Sequence, residues 1–190
     1  DSYDIIVLDG VVREQVTAPL GVFDVTIIGG ANLPRQATAS GVPTGGGSTW
    51  LAPTSPTALT PLLTLLEQAW SIGNIMFGTV ASTPAIRLKR QESAVFPDAS
   101  HVKIYGNYFS TQGLATESGI GGESLFKSII SGNIFQGLSG TAILGESVAI
   151  AQPQMNQILS NFFRTCANAI DMPMDDGIIH DNTFTNITTK

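Results

Sequence analysis

Four features of this chain have the residue types and spacing for chemistry. The first is a repeated G-E-S, in "GIGGES" at 119–124 and "AILGES" at 142–147. Glu123 and Glu146 each stand three residues after an isoleucine. Set side by side, two carboxylates can serve as acid and base on a glycosidic bond, because like charges keep one of them protonated. The same triplet also reads as a plain turn with a solvent-facing glutamate. The second is the basic knot Arg87, Lys89 and Arg90. Alternate residues of a strand share a face, so Arg87 and Lys89 could hold an acidic sugar or abstract a proton in β-elimination. Two cations on one solvated strand are more often surface, or an ion-paired edge. The third is "DMPMDD", whose Asp171, Asp175 and Asp176 could hold Ca²⁺, although acidic turns are common and the spacing matches no EF-hand loop. The fourth is Trp50, either a platform for sugar stacking or a plug at the edge of the core.

Other chemistries find little to work with. His101 and His180 stand apart from any Ser–His–Asp or metal-ligand spacing. Cys166 is the only cysteine, so no intrachain disulfide forms; within an apolar repeat it reads as a small buried thiol. The run "GGGS" lacks the lysine of a nucleotide-binding loop. A net charge of -6 argues against nucleic acid, because phosphate binding needs a basic stripe. The longest apolar runs, such as "PLLTLL", fall far short of a membrane-inserted helix. No cofactor motif is present, Ca²⁺ at the aspartates being the one candidate.

The elements that must position these groups come from a repeat. Ile104/Asn107/Phe109, Ile130/Asn133/Phe135, Ile158/Asn161/Phe163 and Ile179/Asn182/Phe184 are copies of I-x-x-N-x-F, and "SIGNIMF" (Ile72, Asn74, Ile75, Phe77) is an imperfect earlier one. The steps between the asparagines are unequal, which is wrong for helical solenoids and suits short strands joined by variable loops. A second beat follows each copy but the last: Ala85-Ile86, Gly119-Ile120, Ala142-Ile143 and Ala169-Ile170. Each period therefore carries at least two short apolar strands. Ile and Phe can both face inward only if the chain bends between them, and asparagine suits a bend because it tolerates the left-handed region. Stacked coil on coil, Asn107, Asn133, Asn161 and Asn182 form a hydrogen-bonded ladder. The expected fold is all-β, a right-handed, single-stranded parallel β-helix (a solenoid) with a continuous core.

With 43% apolar and only 13% charged residues, 190 residues make one globular domain. Residues 1–190 are expected to be a single β-helix domain, with irregular N-terminal coils, a long loop over 29–60 and regular coils over 62–187. "YDIIVLDG" and "FDVTIIGG" read as strands ending in Gly turns. The Gly/Pro/Ser/Thr-rich stretch after "IIGG" reads as an excursion and a contact surface. Pro61 favours a strand over a helix for 62–67. The start at Asp1 and the end just after a repeat suggest a piece of a longer protein.

"DVTIIGG", the I-x-x-N-x-F coils and "GGGSTWLAP...LLTLLEQAWSIGNIMF" together resemble the right-handed parallel β-helix superfamily of pectate-lyase-like enzymes and bacteriophage tailspikes. The likeness is greatest to β-helix modules of phage virion proteins and covers roughly residues 20 to 187. It implies a homotrimer in a virion, acting outside the cell as a spike, fibre or capsid attachment. Its partners would be other virion proteins or a host surface polysaccharide. It implies as the alternative a polysaccharide lyase or glycoside hydrolase. The motifs are structural beats, so whether the chain is an enzyme turns on the four features above.

Overall fold

The computed structural model describes residues 4–30, 36–37, 43–44, 47–57, 59–89, 99–123, 125–146 and 154–189. Every described element of regular structure is a strand. Short runs of β-branched and aromatic residues between turn residues cannot sustain a helix but suit a pleated surface packed from inside. The strands build three parallel walls, each met once per coil. The first wall stacks Ile5–Leu8, Thr26–Gly29, Ser71–Gly73, Lys103–Tyr105, Ile129–Ser131, Gln157–Leu159 and Ile178–His180. The second stacks Val11–Arg13, Thr49–Leu51, Met76–Gly78, Tyr108–Ser110, Ile134–Gln136, Phe162–Arg164 and Thr183–Thr185. The third stacks Val16–Thr17, Leu63–Leu65, Pro84–Leu88, Ser118–Gly122, Thr141–Gly145 and Asn168–Asp171. The described residues thus form a parallel β-helix with six three-walled coils and two walls of a seventh.

The regular frame begins earlier than the sequence suggests. Thr26–Gly29 pairs with both Ile5–Leu8 and Ser71–Gly73, so the N-terminal strands share the first wall with the later coils. The stretch 29–60 also returns to the frame: Thr49–Leu51 lies in the second wall, between Val11–Arg13 and Met76–Gly78. Among its described strands, only Gln36–Ala37 and Pro43–Thr44 leave it, as a small antiparallel pair. Leu63–Leu65 is a strand, as Pro61 indicates.

The core is built of columns running along the helix axis. Register places Ile6, Ile27, Ile72, Ile104, Ile130, Ile158 and Ile179 one above another. On the second wall Trp50, Phe77, Phe109, Phe135, Phe163 and Phe184 stack ring on ring, with successive centroids 5.9, 5.2, 4.8, 5.0 and 5.1 Å apart. The last three pairs lie within 5° of parallel. The small residue of the second beat makes room for them: a Cβ at Gly119 would fall 2.7 Å from the Phe135 ring. Ile86, Ile120, Ile143 and Ile170 stack alongside on the third wall.

The asparagine ladder stands between the first two walls. Nδ2 of Asn107 donates to Oδ1 of Asn133 (3.1 Å), that of Asn133 to Asn161 (3.0 Å) and that of Asn161 to Asn182 (3.0 Å). The other Nδ2 proton goes to the carbonyl of Ile72, Ile104, Ile130 or Ile158 one coil back. Backbone N–H groups of Ile75, Asn107, Asn133 and Asn161 donate to Oδ1 of the next rung. The left-handed residue of the bend is not the ladder asparagine but the one before it: Asn74, Gly106, Gly132, Ser160 and Asp181, with φ between 53° and 63°. Asn74 of the imperfect copy is therefore no rung; Ile75 fills that position. A shorter ladder closes the corner from third wall to first. Asn156 bonds the Leu125 carbonyl and the Ser128 amide, and Ser128 Oγ accepts from Val102 N.

Candidate functional site: an ion-paired corner on the outer wall

The third wall ends at a sharp corner, and Arg87, Glu123 and Glu146 gather there. Register pairs Leu88 with Gly122 and Gly122 with Gly145, so Glu123 and Glu146 follow at equivalent places on neighbouring coils. The corner depends on Gly122, whose φ is 136°; a Cβ there would lie 2.0 Å from the Leu88 carbonyl oxygen. Arg87 stands one coil earlier, in a column that continues through Gly121 and Leu144. Gly121 has no side chain, which leaves the guanidinium free to cross a whole coil. Its Nη2 donates to Glu146 Oε2 at 2.7 Å and lies 3.3 Å from Glu123 Oε1. The three side chains are between 23% and 31% exposed, so the group is wetted but not free.

The structure thus brings together Arg87, Glu123 and Glu146, three of the four residues considered for catalysis. A cation from a third coil contacts both carboxylates. Arg87 in turn has two carboxylate partners, which makes it a bridge across three coils. Lys89 is exposed beside them, and Arg90 lies outside the described residues. Asp171 stands in the column of Arg87 and Leu144, off the glutamate row.

The same corner continues into the first wall through residues in the left-handed region. His101, Lys127, Met155 and Asp176 occupy matching turn positions, with φ of 56°, 48°, 53° and 53°. The His101 ring meets Phe126 edge-on, and Lys127 Nζ lies 5.1 Å above the same ring. His101 Nδ1 is 3.0 Å from Ser100 Oγ, and His180 Nδ1 is 2.8 Å from Asp181 Oδ2.

At the other two features the structure favours the plainer of the two readings. Trp50 is 4% exposed; Phe77 stacks on it and its Nε1–H donates to the Glu14 carbonyl at 2.9 Å, so it closes the aromatic column and offers no face to a sugar. Asp171, Asp175 and Asp176 are exposed, and among the described residues no group of three acidic, histidine or cysteine side chains converges as a metal would require. They diverge because Asp171 ends a strand while Asp175 and Asp176 belong to the following turn.

Cys166 is buried, its Sγ 3.6 Å from the Phe135 and Arg164 carbonyls. Burial raises its thiol pKa above the ordinary value, against a smaller opposing effect of backbone hydrogen bonds. Burial also raises the Tyr108 phenol, and the charge of Arg164 offsets part of that.

One polar residue with a structural task escaped the sequence reading. Glu117 is fully buried, and its carboxylate accepts from Thr79 Oγ1 (2.6 Å), the Gln112 amide (2.5 Å) and Thr111 Oγ1. Its own amide donates to Ser139 Oγ at 3.0 Å. It ties the 111–117 excursion to the frame. "ATESG" differs in nothing from a surface turn, so only the hydroxyls that fold around it reveal the role.

No family model, curated protein or solved structure matches this chain.

Proposed function

We propose that this chain is a structural and adhesion module, a β-helix shaft of the pectate-lyase-like kind found in phage tailspikes, fibres and capsid attachments. In this reading it works as a homotrimer outside the cell and presents its outer surface to a host glycan or a neighbouring virion protein. The observation that carries it is the Arg87 bridge. The two glutamates best placed for chemistry are bonded to a cation from another coil, as in a clasp that holds the shaft together. The repeated Ile, Asn and Phe are likewise committed to stacking, which leaves recognition to the outer wall and the excursions.

A second reading, a polysaccharide lyase or glycoside hydrolase, is favoured by one feature: Arg87, Glu123 and Glu146 converge on one part-exposed corner. The two separate in a single experiment. The chain is incubated with a panel of bacterial surface and plant polysaccharides, and bound protein is read together with new reducing and unsaturated ends. The adhesion reading expects binding with unchanged polymer length, and Glu123→Gln should leave that binding intact. Chain cleavage abolished by Glu123→Gln or Glu146→Gln would overturn it for a hydrolase. Unsaturated ends lost in Arg87→Ala would overturn it for a lyase. Neither binding nor cleavage would refute glycan adhesion and leave a scaffold.

A further inference from the structure

The chain carries 15 acidic and 9 basic residues, yet the acidic ones avoid the first wall over its middle coils. Residues 69–74, 99–106, 125–132 and 154–160, which turn into that wall and form it, contain no Asp or Glu. They carry instead His101, Lys103 and Lys127, all exposed. Among the described residues none of the three has an acidic partner. The acidic side chains that precede these segments, Glu67, Glu123 and Glu146, are already bonded, the first to the Gly21 amide and the other two to Arg87. A molecule of net charge -6 thus keeps one positive face.

An aromatic ring lies within that face. Ile104 points into the core and is fully buried, so Lys103 and Tyr105 on either side of it share the outward face. The phenol end of Tyr105 lies over Gly73 of the coil before, where a Cβ would fall 2.4 Å from its Cζ. The missing side chain pins the half-buried ring across two coils, beside the Lys103 ammonium. Lys127 stands at the matching turn position to His101 on the next coil, about 4.8 Å further along the shaft. That step is comparable to one sugar ring of a linear chain. We infer that this face takes an acidic polysaccharide, a polyuronate whose carboxylates meet Lys103 and Lys127 while a sugar ring packs on Tyr105. The inference rests on the adhesion reading above and adds to it the charge of the glycan and the wall that holds it. Cations that advance coil by coil suit a polymer charged at every unit, and the pinned ring suits the C–H face of a pyranose better than an acidic peptide.

Interferometry on the full chain tests this with polyuronates (of glucuronate, galacturonate and mannuronate), their carboxyl-reduced neutral forms and polyglutamate. The polyuronates should bind, and the neutral forms and polyglutamate should bind far more weakly. Lys103→Gln combined with Lys127→Gln should weaken polyuronate binding about tenfold, the worth of two exposed ion pairs. Tyr105→Ser should weaken it as well; circular dichroism checks its folding, and Tyr105→Leu replaces it if it does not fold. Arg13→Gln combined with Arg164→Gln removes the same charge from the second wall and should leave binding unchanged. An equal loss in that control would overturn the site in favour of diffuse attraction. Neutral forms bound as tightly as the polyuronates would overturn the inference and leave glycan adhesion standing. Polyglutamate bound as tightly would overturn it in favour of an acidic peptide. Binding to none of these, with neutral glycans of the wider panel still bound, would again sink this inference alone; binding to no glycan at all would sink the adhesion reading with it.

Discussion

Asn133 shows how closely one side chain is used in this fold. Its Oδ1 accepts from the Asn107 side chain and backbone, and its Nδ2 donates to Ile104 O and Asn161 Oδ1, all fully buried. Asn133→Ala would leave a buried amide and a buried carbonyl without partners, at about 2 to 4 kcal/mol of stability by urea denaturation. The asparagines were legible in the sequence because they recur with Ile and Phe at fixed offsets. Their task was only half legible, since the left-handed conformation belongs to the preceding residue. The misplacement of Asn74 has the same origin: "SIGNIMF" carries its asparagine at the bend and an isoleucine at the rung. The bridge of Arg87 was illegible because it depends on an empty place, Gly121, in the intervening coil. Cys166 offers a pH test. Its folded thiol is held above the ordinary value of 9.0, so the folded state keeps a proton that the unfolded state releases first. That contribution to stability is complete below the unfolded thiol's pKa and is lost as pH rises through the folded one. Denaturation midpoints should therefore fall on the alkaline side of pH 9.0, and fall less in Cys166→Ala. Native Cys166 should also resist a thiol reagent that labels the unfolded chain at once.

At the scale of elements, each strand is only two to five residues long and has no stability of its own. It is held by its equivalents one coil above and below, and therefore the columns matter more than the strands. The later coils could be read from sequence because their columns repeat residue types. Of the first two only the first-wall strands could, because Val12 and Trp50 fill the place of phenylalanine and Ser48 that of the ladder asparagine. Register alone shows that they belong to the frame. Trp50 is the clearest case: an indole in a Gly/Ser-rich stretch suits a surface platform or a core plug alike, and Phe77 lying on the next coil makes it the plug.

The whole molecule behaves as a one-dimensional stack, in which each coil pairs its strands only with those of its neighbours. Stability should accordingly fall from the middle to the ends. Phe135→Ala, in the fully buried part of the aromatic column, should cost about 3 to 5 kcal/mol. Phe184→Ala, half exposed, should cost less than about half as much. Amide hydrogen exchange should run the same way, with the strands of the seventh coil opening before those of the fourth and fifth. Both tryptophans, Trp50 and Trp70, sit in the early coils, buried and with their indole N–H groups bonded to the carbonyls of Glu14 and Val22. Intrinsic fluorescence is consequently a local reporter in this protein. Fraying that starts at the seventh coil would be silent in tryptophan emission while already visible in far-ultraviolet dichroism, and a single-wavelength melt would describe only the first half of the shaft.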